Sequence, residues 1–337
     1  MNKAVAQDPS PQAGRAALVV GATGGIGRTV AEALIAHGWR VTALHRDPER
    51  VRRTLPDLPI EWVRGDAMSE ADIVAAAKGA SIIFHGANPP GYTRWRELAI
   101  PMLGNAITAA RASGARLIFP GNVYNFGPDA GSVIDESSPQ NPTTRKGAVR
   151  VEMERMLATG AADGLRSIVV RAGDFLGDVP GSWFRAVMVK PGRPVRSVTY
   201  PGRRDVGHTW AYLPDLAETI VRLADIERDL EPFDVFHFGG HWIEPGEEIC
   251  HAVRRVTGRP DLPIRSFPWF GVYAAAPFVT FMRELIEMRY LWQVPLRLDN
   301  RKLVRLLGEE PHTSLDEAVA ATLVRMGVQP QAVRITA

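Results

Sequence analysis

The stretch Gly21-Ala22-Thr23-Gly24-Gly25-Ile26-Gly27 sets glycines where a backbone must turn sharply and lie bare against a ligand. Glycines at this spacing permit a tight turn, close approach of the main chain to a pyrophosphate, and close packing of helix on strand. A helix opening there turns its amide groups toward negative charge. Further along, Arg46 stands where a carboxylate would accept a ribose hydroxyl; an arginine suits a 2′-phosphate instead. NADP is therefore the expected cofactor, with NAD the alternative. Arg28, just after the third glycine, offers either a second positive charge or a solvated surface residue. Asp66 follows a third strand, where a carboxylate can accept from an adenine amino group. His85 and Ala87 belong to a small-residue loop, His85-Gly86-Ala87-Asn88-Pro89-Pro90, of the kind that faces ligands at the carboxyl ends of parallel strands.

Such groups act only if regular elements hold them. Ala16-Ala17-Leu18-Val19-Val20 is a continuous apolar run, as expected of a parallel strand covered on both faces. The next segment places Val30, Leu34 and Ile35 on one helical face and stops at Gly38. Further strands are expected at 40–44, 60–66, 81–84, 116–119, 165–171 and 234–238, and helices at about 69–78, 95–113, 146–159, 215–226 and 245–257. This alternation predicts an α/β fold, a Rossmann doubly wound parallel sheet with right-handed crossovers and a smaller C-terminal substrate-binding lobe. The expected division is a flexible tail at 1–14, an NAD(P)-binding domain at 15–175, and a mainly substrate-binding part at 176–337. Segments around 206–240 are expected to return to the first domain. The Gly-, Pro- and Arg-rich region 180–214 reads as irregular.

The bulk properties narrow the partners. The chain has 337 residues, 45% of them hydrophobic, with 40 basic and 37 acidic side chains. That near balance, without a basic stripe, points away from nucleic acid. A single cysteine, Cys250, allows no internal disulfide and fits a reducing, cytoplasmic setting. Residues 267–281 are aromatic and alanine-rich but broken by Pro268 and Pro277; they are too short to span a bilayer and read as helices of the substrate lobe packing on the core. His237 and His241 are separated by Phe238-Gly239-Gly240, which supports no shared helical face, so no metal site is expected.

The opening glycine motif, Gly65-Asp66, His85-Gly86-Ala87, Ala109-Ala110-Arg111, Val123-Tyr124, Arg171-Ala172-Gly173, Tyr212-Leu213-Pro214-Asp215-Leu216-Ala217 and Asp299-Asn300-Arg301-Lys302-Leu303 span nearly the whole chain. Together they resemble the extended and atypical short-chain dehydrogenase/reductase superfamily, the NAD-dependent epimerase/dehydratase group. The resemblance implies catalysis by a Ser or Thr, a Tyr and a Lys four residues beyond it, and here the pattern departs. The family's helix opening aligns with Pro142, Lys146, Gly147, Arg150 and Glu154, so Lys146 stands in the Tyr position and Arg150 in the Lys position. The Ser slot falls on Pro120, beside Gly121 and Asn122.

Arg150 can hold a ribose or phosphate but, being permanently charged, serves as neither acid nor base. Lys146 is a candidate for proton transfer if burial or Arg150 depresses its pKa, or else a salt-bridge partner at the helix start. Tyr124 is the second candidate, with Asn122 beside it, or else a structural residue. The expected function is an NAD(P)-binding oxidoreductase acting on a small carbonyl or alcohol with a non-standard proton donor. A non-catalytic NADP-responsive regulator is the alternative and a nucleotide-sugar epimerase or dehydratase the third. The latter is disfavoured by the missing Tyr and by Arg204-Asp205, which lies farther before Asp215 than the pattern of the sugar-nucleotide relatives implies. His208 and Trp210 either line the pocket or pack in the core. The resemblance also implies a monomer or homodimer, dimerisation running through the helices at 95–113 and 146–159.

Overall fold

The computed structural model describes residues 15–55, 58–89 and 94–328; the expected tail at 1–14 and Pro90 of the small-residue loop lie outside them. Strands β1 (Ala16–Val20), β2 (Arg40–His45), β3 (Ile60–Arg64), β4 (Ile82–His85) and β5 (Arg116–Asn122) are separated by helices α1 (Gly25–Ala36), α2 (Pro48–Thr54), α3 (Glu70–Ala76) and α4 (Trp95–Ser113). After the short strand β6 (Val133–Ile134), helix α5 (Arg145–Gly160) leads into β7 (Arg166–Ala172). Strands β8 (Asp174–Leu176), β9 (Val198–Tyr200) and β10 (His208–Tyr212) precede α6 (Leu213–Asp225) and β11 (Phe233–His237). The chain continues through β12 (His241–Ile243), α7 (Glu248–Thr257), β13 (Ile264–Ser266), α8 (Trp269–Ala275) and α9 (Thr280–Glu287), then β14 (Arg297–Leu298), α10 (Arg301–Leu307) and α11 (Leu315–Arg325).

Seven strands form one parallel sheet in the order β11-β7-β5-β4-β1-β2-β3. The period of two along β1 splits its side chains between two cores. Ala17 and Val19 join Val30 and Leu34 of α1 and Leu216 and Ile220 of α6 on one face, while Leu18 and Val20 join Leu103 of α4 and Met153 and Leu157 of α5 on the other. Burial on both faces is why the run reads as continuously apolar. The strand order reverses direction between β1 and β4, and that reversal opens a crevice at their carboxyl ends, the usual ligand position in such sheets.

Several elements differ from expectation. Helix α2 follows a signal in plain view: Asp47 accepts from the Arg50 amide at 3.1 Å as N-cap, and Pro48 occupies the first turn. The expected loop at Pro120-Gly121-Asn122 is instead strand, paired with Val170, Arg171 and Ala172 of β7. On the other side pairing with β4 ends at Ile118, leaving an edge that tolerates a proline.

Region 180–214 is more regular than expected. It holds a short π-helix (Phe184–Met188), β9 and the fully buried β10. The strand was hidden because it belongs to a separate sheet, β12-β10-β8, whose core gathers Trp210, Trp292, Tyr200 and Val253. Helices α8 and α9 form, yet Phe270 and Phe278 point into solvent rather than packing on the core. Among the described residues no helix is long and apolar enough to cross a membrane.

Candidate functional site

A cavity of about 1080 Å³ opens at the β1/β4 crevice and continues under the C-terminal lobe. Its inner end is built by the glycine loop. Gly21 has φ of +95°, and a Cβ there would stand 2.7 Å from the Ala87 amide nitrogen, so only glycine lets the β1 and β4 loops meet. Gly27 does not line the cavity; a Cβ on it would sit 2.2 Å from the Gly21 carbonyl oxygen, making it a packing residue of the turn. Thr23, Gly24, Gly25 and Ile26 do line it, at the amino end of α1. Val179 covers Gly25 closely enough that a Cβ there would lie 2.5 Å from it.

At the end of β2, Arg46 lines the cavity and is exposed. Asp47, the carboxylate next to it in sequence, is committed to capping α2. Arg28 is not part of the lining and pairs with Glu32 at 2.8 Å. Asp66 lines the cavity, its side chain accepting from the Met68 amide at 3.0 Å.

His85 lines the same space and is 1% exposed. It stacks beside Phe119, with neither ring nitrogen hydrogen-bonded to the described residues. Burial first, and the charge of Arg150 second, push its pKa down to about 4. A neutral imidazole beside a cleft, with one nitrogen able to donate and the other to accept, is suited to a ligand amide or hydroxyl. This buried, unpaired polar group and the glycine cradle both fit a dinucleotide.

Asn122, Tyr124, Lys146 and Arg150 all line the cavity. The Asn122 side chain accepts from the Tyr124 amide at 3.0 Å and so fixes the turn after β5. Arg150 donates to the Pro120 carbonyl at 3.2 Å, and its guanidinium lies over the rings of Trp95 and Phe119 at 5.0 and 5.2 Å. Lys146, 3% exposed, holds the pair that the sequence offered as its structural alternative: its ammonium bonds Glu284 and, at 3.0 Å, Glu287 of α9. Burial opposes ionisation of Glu287, but the hydrogen bond and charge of Lys146 outweigh it and keep that carboxyl below its ordinary value.

Sequence reasoning placed His208 and Trp210 between pocket and core. Neither is in the lining, and Trp210 is fully buried. His208 instead bonds Asp174, which does line the cavity, at 2.8 Å. The Ala172-Gly173-Asp174 loop was a visible signal; the partner across β10 was not, because the β10/β8 pairing joins distant segments. The missed part is the outer wall: Trp183, Val187, Phe267, Val272, Met282, Leu285 and Met288, with scarcely a polar group among them. Among the described residues no cluster of three or more His, Cys, Asp or Glu is placed to hold a metal.

The fold and cleft define a Rossmann protein with a glycine-lined site for a dinucleotide at the sheet's switch point. The chain belongs to the family described as NAD(P)H-binding, whose model matches residues 21–212. Among curated relatives it is 32% identical over 80 residues to the bovine sterol-4-alpha-carboxylate 3-dehydrogenase, decarboxylating, covering 24% of this chain and 21% of that one. It is 36% identical over 107 residues to the ceramide reductase of Caulobacter vibrioides, covering 30% of this chain and 32% of that one. The matches thus span only about a fifth to a third of those relatives. Among solved structures, UDP-glucose 4-epimerase from Bifidobacterium longum, in complex with NAD+ and UDP, has a TM-score of 0.69 at 18% identity, covering 91% of this chain and 97% of its own. UDP-glucose 4-epimerase from Brucella ovis, in complex with NAD, reaches 0.72 at 18% identity, covering 94% and 99%. At that identity the likeness shows a shared fold.

Proposed function

We propose that the protein is an NADP(H)-dependent oxidoreductase that interconverts a hydroxyl and a ketone on an apolar, lipid-sized substrate. The observation carrying this reading is the continuous cavity, glycine-lined and polar at one end and walled by aromatic and aliphatic side chains at the other. The partial relatives are named for oxidation of a sterol and reduction of a ceramide, both apolar molecules. Arg203 is paired with Asp205, Arg204 reaches Glu247 and the Ile264 carbonyl, and neither arginine lines the cavity. A substrate diphosphate therefore gains no counter-charge from this arginine segment, which favours an apolar substrate over a nucleotide sugar.

A bound nicotinamide supplies a hydride to the ketone carbon or takes one from the alcohol. In the reducing direction the Tyr124 hydroxyl gives its proton to the ketone oxygen, and solvent returns one proton to Tyr124; the oxidising direction reverses both transfers. Asn122 sets the Tyr124 backbone. Arg150 would hold the nicotinamide ribose with a fixed positive charge, and Arg46 would meet a 2′-phosphate. Lys146 acts as a positioning residue, tying the substrate wall at α9 to α5 through Glu284 and Glu287. The test is NADPH consumption with a panel of hydrophobic ketones. Tyr124→Phe should lower kcat about a hundredfold or more while leaving the cofactor Kd unchanged. Full turnover by that variant refutes the proton role; no turnover with any ketone, together with NADP-dependent capture of a protein partner, favours the regulator.

A further inference from the structure

Between Arg265 and Arg283 the chain carries no charged residue. This stretch contains α8 and the first half of α9, and its side chains divide into two sets. Phe267, Val272 and Met282 turn inward and line the cavity. Phe270 and Phe278 turn outward, 87% and 88% exposed, with Tyr273 and Val279 also exposed. Phe281 does both: it lines the cavity and is 45% exposed, so the outer apolar face continues into the inner wall. Large aromatic side chains grouped at a cavity mouth are not an ordinary solvated surface.

The charges bordering this face are sorted by sign. Glu284 and Glu287 fold back onto Lys146 and Arg145. Arg283 stays at the turn, donating to the Thr280 hydroxyl at 3.0 Å and lying near the Ala276 and Pro277 carbonyls. Arg289 donates to the Tyr273 hydroxyl at 2.8 Å, its guanidinium over the rings of Trp269 and Tyr273 at 5.2 and 5.3 Å. The hairpin thus presents aromatic tips within a border of arginines, its carboxylates turned away.

We infer that the α8–α9 hairpin docks on an anionic phospholipid surface, its phenylalanines entering the acyl boundary and its arginines meeting the headgroups. This is the arrangement by which an amphipathic surface element lies in an interface without spanning it. A second copy of the chain is a poorer occupant, because two-fold pairing would set the arginine border against itself. With the face on a bilayer, the cavity mouth beside Phe281 opens toward the acyl region, and an apolar substrate enters without crossing water. That delivery step rests on the apolar-substrate reading above; the docking does not.

Flotation of the full-length protein with phosphatidylcholine vesicles, with and without phosphatidylglycerol, tests it. Wild type should float with the anionic vesicles, and the doubly substituted F270S/F278S protein should show at least about tenfold weaker partition. R283Q/R289Q should weaken binding to anionic vesicles and leave the small partition onto neutral ones unchanged. Thermal melts and NADPH titration serve as folding controls, since none of the four residues lines the cavity. Wild type failing to float, or F270S/F278S floating as well as wild type, overturns the inference. So does a dimer that F270S/F278S splits without any vesicle binding. Turnover of a dispersed apolar ketone in the absence of vesicle binding would refute the docking while sparing the proposed function.

Discussion

At the scale of single residues, the cofactor end rests on what stands beside β2. Arg46 lines the cavity while Asp47 caps α2, so the nearest carboxylate is occupied and the nearest cation is available. Arg46→Ala should raise the NADPH Kd by about tenfold or more and leave the NADH Kd little changed, as isothermal titration will show. Equal losses for both cofactors would remove the 2′-phosphate from the account.

His85 and His237 are buried and neutral. Burial first and a nearby arginine second push their pKa values down to about 4 and about 3, from 6.5. Below pH 6.5 the unfolded chain therefore binds protons that the folded one refuses. Their contribution to stability is complete above that pH and is lost as pH falls toward 4, by about 1.4 kcal/mol per pH unit for each histidine. Urea midpoints should drop between about pH 7 and pH 5, before most carboxylates begin to protonate. The drop should shrink in His85→Gln; an identical slope in that variant would show that His85 does not contribute.

At the scale of elements, the glycine loop separates binding from folding. Gly27→Ala places a methyl against the Gly21 carbonyl and should destabilise the turn itself. Gly21→Ala drives the β1 loop against the β4 loop and also strains a positive φ, so it should abolish cofactor binding. Thermal melts read beside NADPH titration distinguish the two, and full NADPH affinity in Gly21→Ala would contradict the close approach. This loop was legible from sequence because its signals are local: an apolar run, glycines at fixed spacing, then a helical stripe. The strands of the main sheet were legible for the same reason.

What stayed hidden was non-local. β10 could not be recognised as a buried strand without β8 and β12, nor Lys146 as an ion-pair partner of α9 without knowing that residues 138 and 141 positions away fold back to it. The outward turn of Phe270 on α8 and of Phe278 in the turn before α9 was invisible because composition does not say which side of a short helix or turn meets the core.

At the scale of the molecule, two halves meet across one cavity. The parallel sheet supplies a cradle for a dinucleotide, and the C-terminal segments supply an apolar enclosure that, on the proposed function, would exclude water from a reacting carbon. The Lys146 pairs with Glu284 and Glu287 join the halves at α5, so the apolar wall at α9 is fixed to the element that carries Arg150. The central claim is hydride transfer between nicotinamide and an apolar substrate in that cavity. NADPH deuterated on the transferring face of the nicotinamide C4, incubated with a hydrophobic ketone that the enzyme consumes, tests it directly by mass spectrometry of the product. The expected product is an alcohol with deuterium on the former carbonyl carbon, formed far more slowly by Tyr124→Phe; NADPH bound tightly and no deuterium delivered to any apolar ketone would contradict hydride transfer.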